Sequence, residues 1–504
     1  MPEARSGLSA EELFVRGEEI TYDDFTILNT QFSETCKRRV SLRTNLGKGV
    51  LLEVPIMASP MDSVTSPRLA IAIAQLGGIA VIHYNHKDAD GRPSIDEQIA
   101  DIARVKRSQN GFIEDPLVVE PDMSIEYAIE LGKKDREPEE TISTFPVTEN
   151  GQSHGRLVGL LRRDDYLLGF RTGLQVRERM LGIDKLIVGN STMSLKQARK
   201  MIWDNHIRSL PIVNEEGNLV YLVTRGDMEK SEQFPQTTMD EKGRLRVLFA
   251  VSTWPESYER VERGFAAGAD GVVVDTSQGF GKHPFEMLRY IAGKHPDKLL
   301  IGGNISTSEA ALALARLDFV DAYRCGQGSG SICTTADAIG IGRAGATAIY
   351  ECARAVHKSE SKMVTIADGG IRFAGDITKA LALRAGAVMV GSMLAGSDEC
   401  PGKKKLDERG RKIMEYWGMG SKKANVGGEV RVRDYGAHEE GIVKQVPYKG
   451  KLKEHLPEVV DALLHSFEVL NCGSISDLHQ GTKNGDVRFG KRGLASIMES
   501  RPHG

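Results

Sequence analysis

The chain of 504 residues contains no CxxC pair: Cys36, Cys325, Cys333, Cys352, Cys400 and Cys472 are scattered, which excludes a disulfide framework and a zinc site of ordinary spacing. It also lacks a strong charge of either sign. A formal net charge of -3 gives no bulk attraction to nucleic acid or to an anionic membrane, so any phosphate must be gripped locally by backbone amides and a few side chains. No run approaches the roughly 20 apolar residues of a membrane span. The opening MPEARSGLSAEELFVRGEEI lacks the apolar stretch of a signal peptide, so a cytoplasmic protein with a small-molecule partner is expected, without nucleic acid or membrane. Hydrophobic residues at 40% and charged residues at 27% place the chain among folded globular proteins, and its length suits a barrel-sized core with an inserted module.

What is present is a rhythm. Short apolar runs ending in small or polar residues occur at 53–61 (EVPIMASPM), 77–85, 247–253, 271–277 (GVVVDTS), 299–307 (LLIGGNIST), 321–328 (DAYRCGQG), 363–370 (MVTIADGG) and 387–393 (AVMVGSM). Between most of them lie stretches of helical periodicity such as SPRLAIAIAQL, YERVERGFAAG, TSEAALALARL and GDITKALALRAG. Strands buried on both faces read as continuous apolar runs, so eight of them alternating with helices predict an α/β fold of the (β/α)8 TIM-barrel type. A doubly wound open sheet fits the same alternation.

The second and third runs are separated by a gap far too long for one loop, and within it the chain repeats itself. PDMSIEYA at 121–128 resembles STMSLKQA at 191–198, and the stretch from Phe145-Pro146-Val147 to Asp165 resembles that from Leu210-Pro211-Ile212 to Asp227. Each half predicts a capped helix, two strands and a closing helix, so two copies should pack as one pseudo-symmetric module. The predicted division is a first part of the barrel at 1–112, the module at 113–232 and the second part of the barrel at 233–504.

The stretch GQGSGSICTT at 326–335 surrenders side-chain packing in front of one thiol, Cys333. Glycines there permit left-handed backbone and close approach to a ligand, and a thiolate attacks an electron-poor carbon without a strong base. A Gly/Ser-rich turn beside a buried cysteine would use the same letters. In a parallel barrel this loop shares the C-terminal mouth with Asp275, Asn304, Asp368-Gly369-Gly370 and Gly391-Ser392, and its last two loops are a habitual phosphate site.

GSGSICTT, with ASPMDSVT, DTSQG, GGN, ADGGI, GDITKALALRAGA, VMVGSMLAG and YWGMGS, resembles the IMP dehydrogenase and GMP reductase superfamily over nearly the whole chain. The repeated insert is similar to the tandem CBS (Bateman) domain carried by IMP dehydrogenases. The resemblance implies that Cys333 attacks C2 of IMP, that hydride passes to NAD, and that water then releases XMP with help from Thr335. It implies nucleotide contacts from Ser59, Met61, Ser331, Asp368, Gly370, Gly391, Ser392, Tyr416, Gly418, Met419 and Gly420. Asp275, Thr276, Ser277, Asn304, Gly326 and Gly328 fall on the nicotinamide side. A potassium ion is implied at the carbonyls of Gly328, Gly330 and Cys333, with Glu499, Ser500 and Arg501 in the tail. Regulatory purine nucleotides at the insert, near Asp165 and Asp227, and a homotetramer or octamer complete the implied picture.

The chain departs from the family in two places. The tail has Ser500-Arg501 where the family has two glycines, and an arginine competes with a cation. The segment KKANVGGEVRVRDYGAHEEG lacks the adjacent Arg-Tyr pair with which dehydrogenases activate water; Arg431 or Arg433, Tyr435 and Glu440 are the substitutes it offers. A GMP reductase, which displaces ammonia from GMP with NADPH, has no need of that pair. Dehydrogenase is the expectation, reductase the alternative, and a non-catalytic nucleotide sensor a third.

Overall fold

The computed structural model describes residues 6–500 apart from 16, 89, 109–111, 114–115, 134–140, 167–172, 227–232 and 426–440. The chain divides into two compact units: Met1–Lys106 with Gln236–Thr238 and Arg246–Gly504, and Arg107–Pro235 with Met239–Leu245.

The first unit is a closed barrel of eight parallel strands, as the alternation predicts and against the open-sheet alternative. Its strands are β1 Ile56–Ala58, β2 Ile79–Ile82, β3 Leu248–Val251, β4 Gly271–Val274, β5 Leu299–Ile305, β6 Ala322–Cys325, β7 Val364–Asp368 and β8 Ala387–Val390. β8 returns to pair with β1 through Val388 and Ile56, so no edge is left open. Each run identified in the sequence contributes one strand. Period-two alternation sorts their side chains: Leu248 and Ala250 join Met57, Val81, Val273, Ile301, Ile366 and Met389 in the central core, while Phe249 turns outward. There it meets Phe265 edge to face at 5.3 Å, and Gly264 leaves room for its ring.

Helices α1 Pro67–Gln75, α2 Ile95–Arg107, α3 Glu256–Ala266, α4 Lys282–Lys294, α5 Ser308–Ala315, α6 Gly345–Lys358, α7 Ala374–Ala382 and α8 Leu452–Val469 follow the eight strands in order. Their starts are legible locally: Ser66 accepts from the amide of Leu69 with Pro67 at the first turn, and Thr307 caps α5 through the amide of Ala310. The polypeptide between β2 and β3 carries the second unit.

In that unit, helix Ile125–Lys133 precedes strands Phe145–Thr148 and Leu157–Leu161, and helix Leu195–Asp204 precedes strands Ser209–Val213 and Leu219–Thr224. Each half has its own apolar cluster, one around Phe145 and Val147 and the other around Leu210 and Ile212. Strand Phe112–Ile113 pairs with Leu219–Thr224. Asp165 is bonded to Arg162, and Asp227 lies outside the described residues.

Candidate active site

The C-terminal ends of the strands surround one cavity. Ser59 and Met61 enter it after β1, Asp275, Thr276 and Ser277 after β4, Asn304 from β5, and Asp368 with Gly370 from the end of β7. Gly391 and Ser392 line it after β8, as do Tyr416, Gly418, Met419 and Gly420 from a hairpin strand, Lys412–Trp417, and the turn after it. The loop after β6 supplies Gly326, Gly328, Gly330, Ser331, Cys333 and Thr335. Glu499 and Ser500 are not among the lining residues: they fall at the end of helix Leu494–Glu499, where the Ser500 hydroxyl donates to the carbonyl of Ile497. Arg431, Arg433, Tyr435, Glu440 and Arg501 lie outside the described residues.

Cys333 is half-buried, with its Sγ 3.1 Å from the Thr335 hydroxyl. Its amide donates to the Gly330 carbonyl at 3.0 Å, which folds the glycine loop back on itself. A β-bridge joins Cys333 to Gly441, and the amide of Ile442 donates to the Ile332 carbonyl at 3.0 Å. The residue immediately after Glu440 is thus anchored beside the thiol. Lys444 Nζ donates to the Ser331 carbonyl at 2.5 Å.

On the β8 side, a side chain at 391 would lie 2.9 Å from both Met61 Sδ and the Tyr416 hydroxyl, so only glycine lets these two groups close over the turn. Burial pushes the Tyr416 phenol up, although a bond with Ser331 works the other way, and the hydroxyl stays a donor. Lys449 Nζ donates to the carbonyls of Ser392 and Met393 at 3.1 and 2.8 Å. The turn's carbonyls are thereby engaged from one side, and its amides are the groups left to receive an anion.

Two carboxylates meet at the cavity floor. Asp368 Oδ2 accepts from Asn304 Nδ2 at 2.8 Å and from Arg324 Nη2 at 2.7 Å, while Arg324 Nη1 donates to Asp275 Oδ1. Burial alone would lower the Arg324 guanidinium, but Asp368 and Asp275 together raise it, so the cation is firmly charged. Asn304 lines the cavity, and its Oδ1 is buried without a partner among the described residues. Gln327, whose role has no signal in the sequence, donates to the Ser277 carbonyl at 2.7 Å and ties the β4 and β6 loops together. The signal for Arg324 in the sequence is an arginine inside the apolar run DAYRCGQG.

The residues named for potassium fall in two places along the chain, Gly328, Gly330 and Cys333 on the loop after β6 and Glu499 and Ser500 at the end of helix Leu494–Glu499. The Gly330 carbonyl accepts from Cys333. The described residues hold no group of three or more His, Cys, Asp or Glu that fits a metal, and no described helix is long and apolar enough to cross a membrane.

Residues 19–503 match the family model described as IMP dehydrogenase / GMP reductase domain. The chain is 36% identical over 490 residues to the inosine-5'-monophosphate dehydrogenase of Streptococcus pyogenes serotype M3, covering 96% of this chain and 94% of that protein. It is 34% identical over 511 residues to that of Schizosaccharomyces pombe, covering 99% and 94%. Among solved structures, GMP reductase from Trypanosoma brucei, an alanine variant in complex with guanosine 5'-monophosphate, superimposes with a TM-score of 0.85 at 32% identity, covering 98% of this chain and 99% of that one.

Proposed function

Because the chain belongs to the IMP dehydrogenase / GMP reductase family, and is thereby an oxidoreductase, we propose that it oxidises IMP to XMP with NAD through a covalent bond between Cys333 and purine C2. The observation that carries this reading is the Cys333–Thr335 pair, 3.1 Å apart, in one cavity with Asp275, Asn304 and Asp368. Relatives bearing the dehydrogenase name over nearly the whole chain support this direction.

In this reading the phosphate rests on the backbone of the Gly370 and Gly391-Ser392 loops and the hydroxyls of Ser331 and Tyr416. Asp368 accepts the ribose hydroxyls, and Ser59, Met61, Gly418, Met419 and Gly420 frame the purine. The sulfur of Cys333 adds to C2, and the bound nicotinamide supplies the acceptor for the hydride that leaves that carbon. Asp275, Thr276, Ser277, Asn304, Gly326 and Gly328 present the acceptor on the opposite wall. Thr335, with Glu440 next to the anchored Gly441, then takes the proton of water as its oxygen displaces the sulfur. The balance is IMP, NAD⁺ and water in; XMP, NADH and a proton out. A potassium ion would be held by the carbonyls of Gly328, Gly330 and Cys333 and would order that loop; turnover is expected to fall when sodium replaces potassium, and unchanged turnover would remove the ion from this reading. The second unit is proposed to be a tandem CBS module that binds purine nucleotides, in a homotetramer or octamer.

A second reading is GMP reduction by NADPH with release of ammonia. It is favoured by the likeness to a GMP reductase over 98% of the chain and by the absence of an adjacent Arg-Tyr pair between 422 and 441. One pair of assays decides: NADH formation from IMP and NAD supports the dehydrogenase. NADPH consumption with ammonia release from GMP, and no NADH from IMP, overturns it. Loss of both would point to a nucleotide sensor.

A further inference from the structure

Arg324 stands at the end of β6 with its side chain buried, yet three of its nitrogens are engaged by only two residues. Nε and Nη2 both reach Asp368 Oδ2, at 3.0 and 2.7 Å, and Nη1 reaches Asp275 Oδ1. Asp275 follows β4 and Asp368 ends β7, so one planar cation ties two walls of the cavity together. Asp368 takes both of its bonds from Arg324 on one oxygen, Oδ2, and Asp275 takes its single bond on Oδ1. A guanidinium with a rigid fork of donors can hold two such groups at fixed angles, which a lysine ammonium cannot.

Resting on the reading given above, in which Asp368 faces the purine nucleotide and Asp275 the dinucleotide, we propose that Arg324 is a positioning residue that couples the two subsites. The two carboxylates compete for one cation. A donor from the dinucleotide that draws charge from Asp275 loosens its hold on Arg324, which leans further on Asp368 and alters how strongly Asp368 accepts from the nucleotide. The coupling is reciprocal, as linkage requires. It makes Asp275 matter to a ligand that it does not touch.

The test is equilibrium binding of IMP to the full chain carrying Cys333→Ser, which prevents turnover, measured in four forms: no further change, Asp275→Asn, Arg324→Met, and both. With Arg324 present, Asp275→Asn is expected to weaken IMP about tenfold, because the whole guanidinium then falls on Asp368. With methionine at 324 the same change is expected to alter IMP affinity less than about twofold. An unchanged affinity on Asp275→Asn, or an equal loss in both backgrounds, overturns the proposal. Should Arg324→Met fail to fold, judged by thermal unfolding, the first comparison alone decides. A parent that binds GMP and not IMP takes the same cycle with GMP. A parent that binds neither sinks the functional reading itself, a result distinct from binding without cross-talk.

Discussion

At Gly326 the backbone takes φ +147°, and a side chain there would drive into the carbonyl of Asp368. This residue opens the cysteine loop, and its bareness lets β6 and β7 end side by side so that Arg324 and Asp368 meet. Gly326→Ala is therefore expected to cost about 1–3 kcal/mol of stability, the scale of a strained backbone residue. It should also lower turnover at least about tenfold through displacement of Asp368. Chemical denaturation and steady-state kinetics on the same variant check both. The residues of the mouth were largely legible, because glycine runs and isolated carboxylates at strand ends are rare in apolar sequence. Arg324 and Gln327 were not. Their roles depend on which loops lie adjacent across the barrel, and spacing along one chain does not give that.

Among the elements, helix Ile475–Asn484 carries an unusual group. The imidazole of His479 is half-buried, and its Nε2–H donates to the Ala385 carbonyl at 3.0 Å. Burial is the main cause that drops its pKa from 6.5 to about 4; the bond to Ala385 opposes the drop, and the charges of Arg384 and His357 add to it. The neutral ring is the folded form. Between pH 6.5 and about 4 the unfolded chain takes up a proton that the folded chain refuses, so stability falls as pH falls through that window. The loss from this one group is up to about 3 kcal/mol. His479→Gln should flatten the acid limb of a stability-against-pH curve; an unaltered limb would contradict the assignment. The sequence pattern located the barrel helices through their periodicity and caps, yet it contained no sign that the ring of a histidine near the C-terminus packs against the barrel. That depends on packing against α7 and the turn that follows it.

On the scale of the whole molecule, each unit has an apolar core of its own, one inside the strands around Met57 and Ile301 and the others around Phe145 and Leu210. Replacing Arg107–Pro235 with a Gly/Ser linker is expected to leave a soluble barrel whose turnover stays within about threefold of the intact chain, since independently cored domains fold as units. Aggregation of the shortened protein on gel filtration would assign the second unit a structural role instead. The repeat was readable because both halves reuse one pattern of capped helix and paired strands. Whether those halves take a ligand was not readable, since that depends on side chains brought together by the fold rather than on period. The direction of the chemistry escapes for a related reason: dehydrogenase and reductase share the thiol, the carboxylates and the phosphate loops.

The central claim is the bond between sulfur and purine carbon, and it can be weighed directly. Full-length protein mixed with IMP and NAD, quenched in acid during turnover and digested, should yield a peptide containing Cys333 heavier by one purine nucleotide, and Cys333→Ser should yield none. An unmodified peptide during active turnover, or undiminished turnover by Cys333→Ser, would contradict the account.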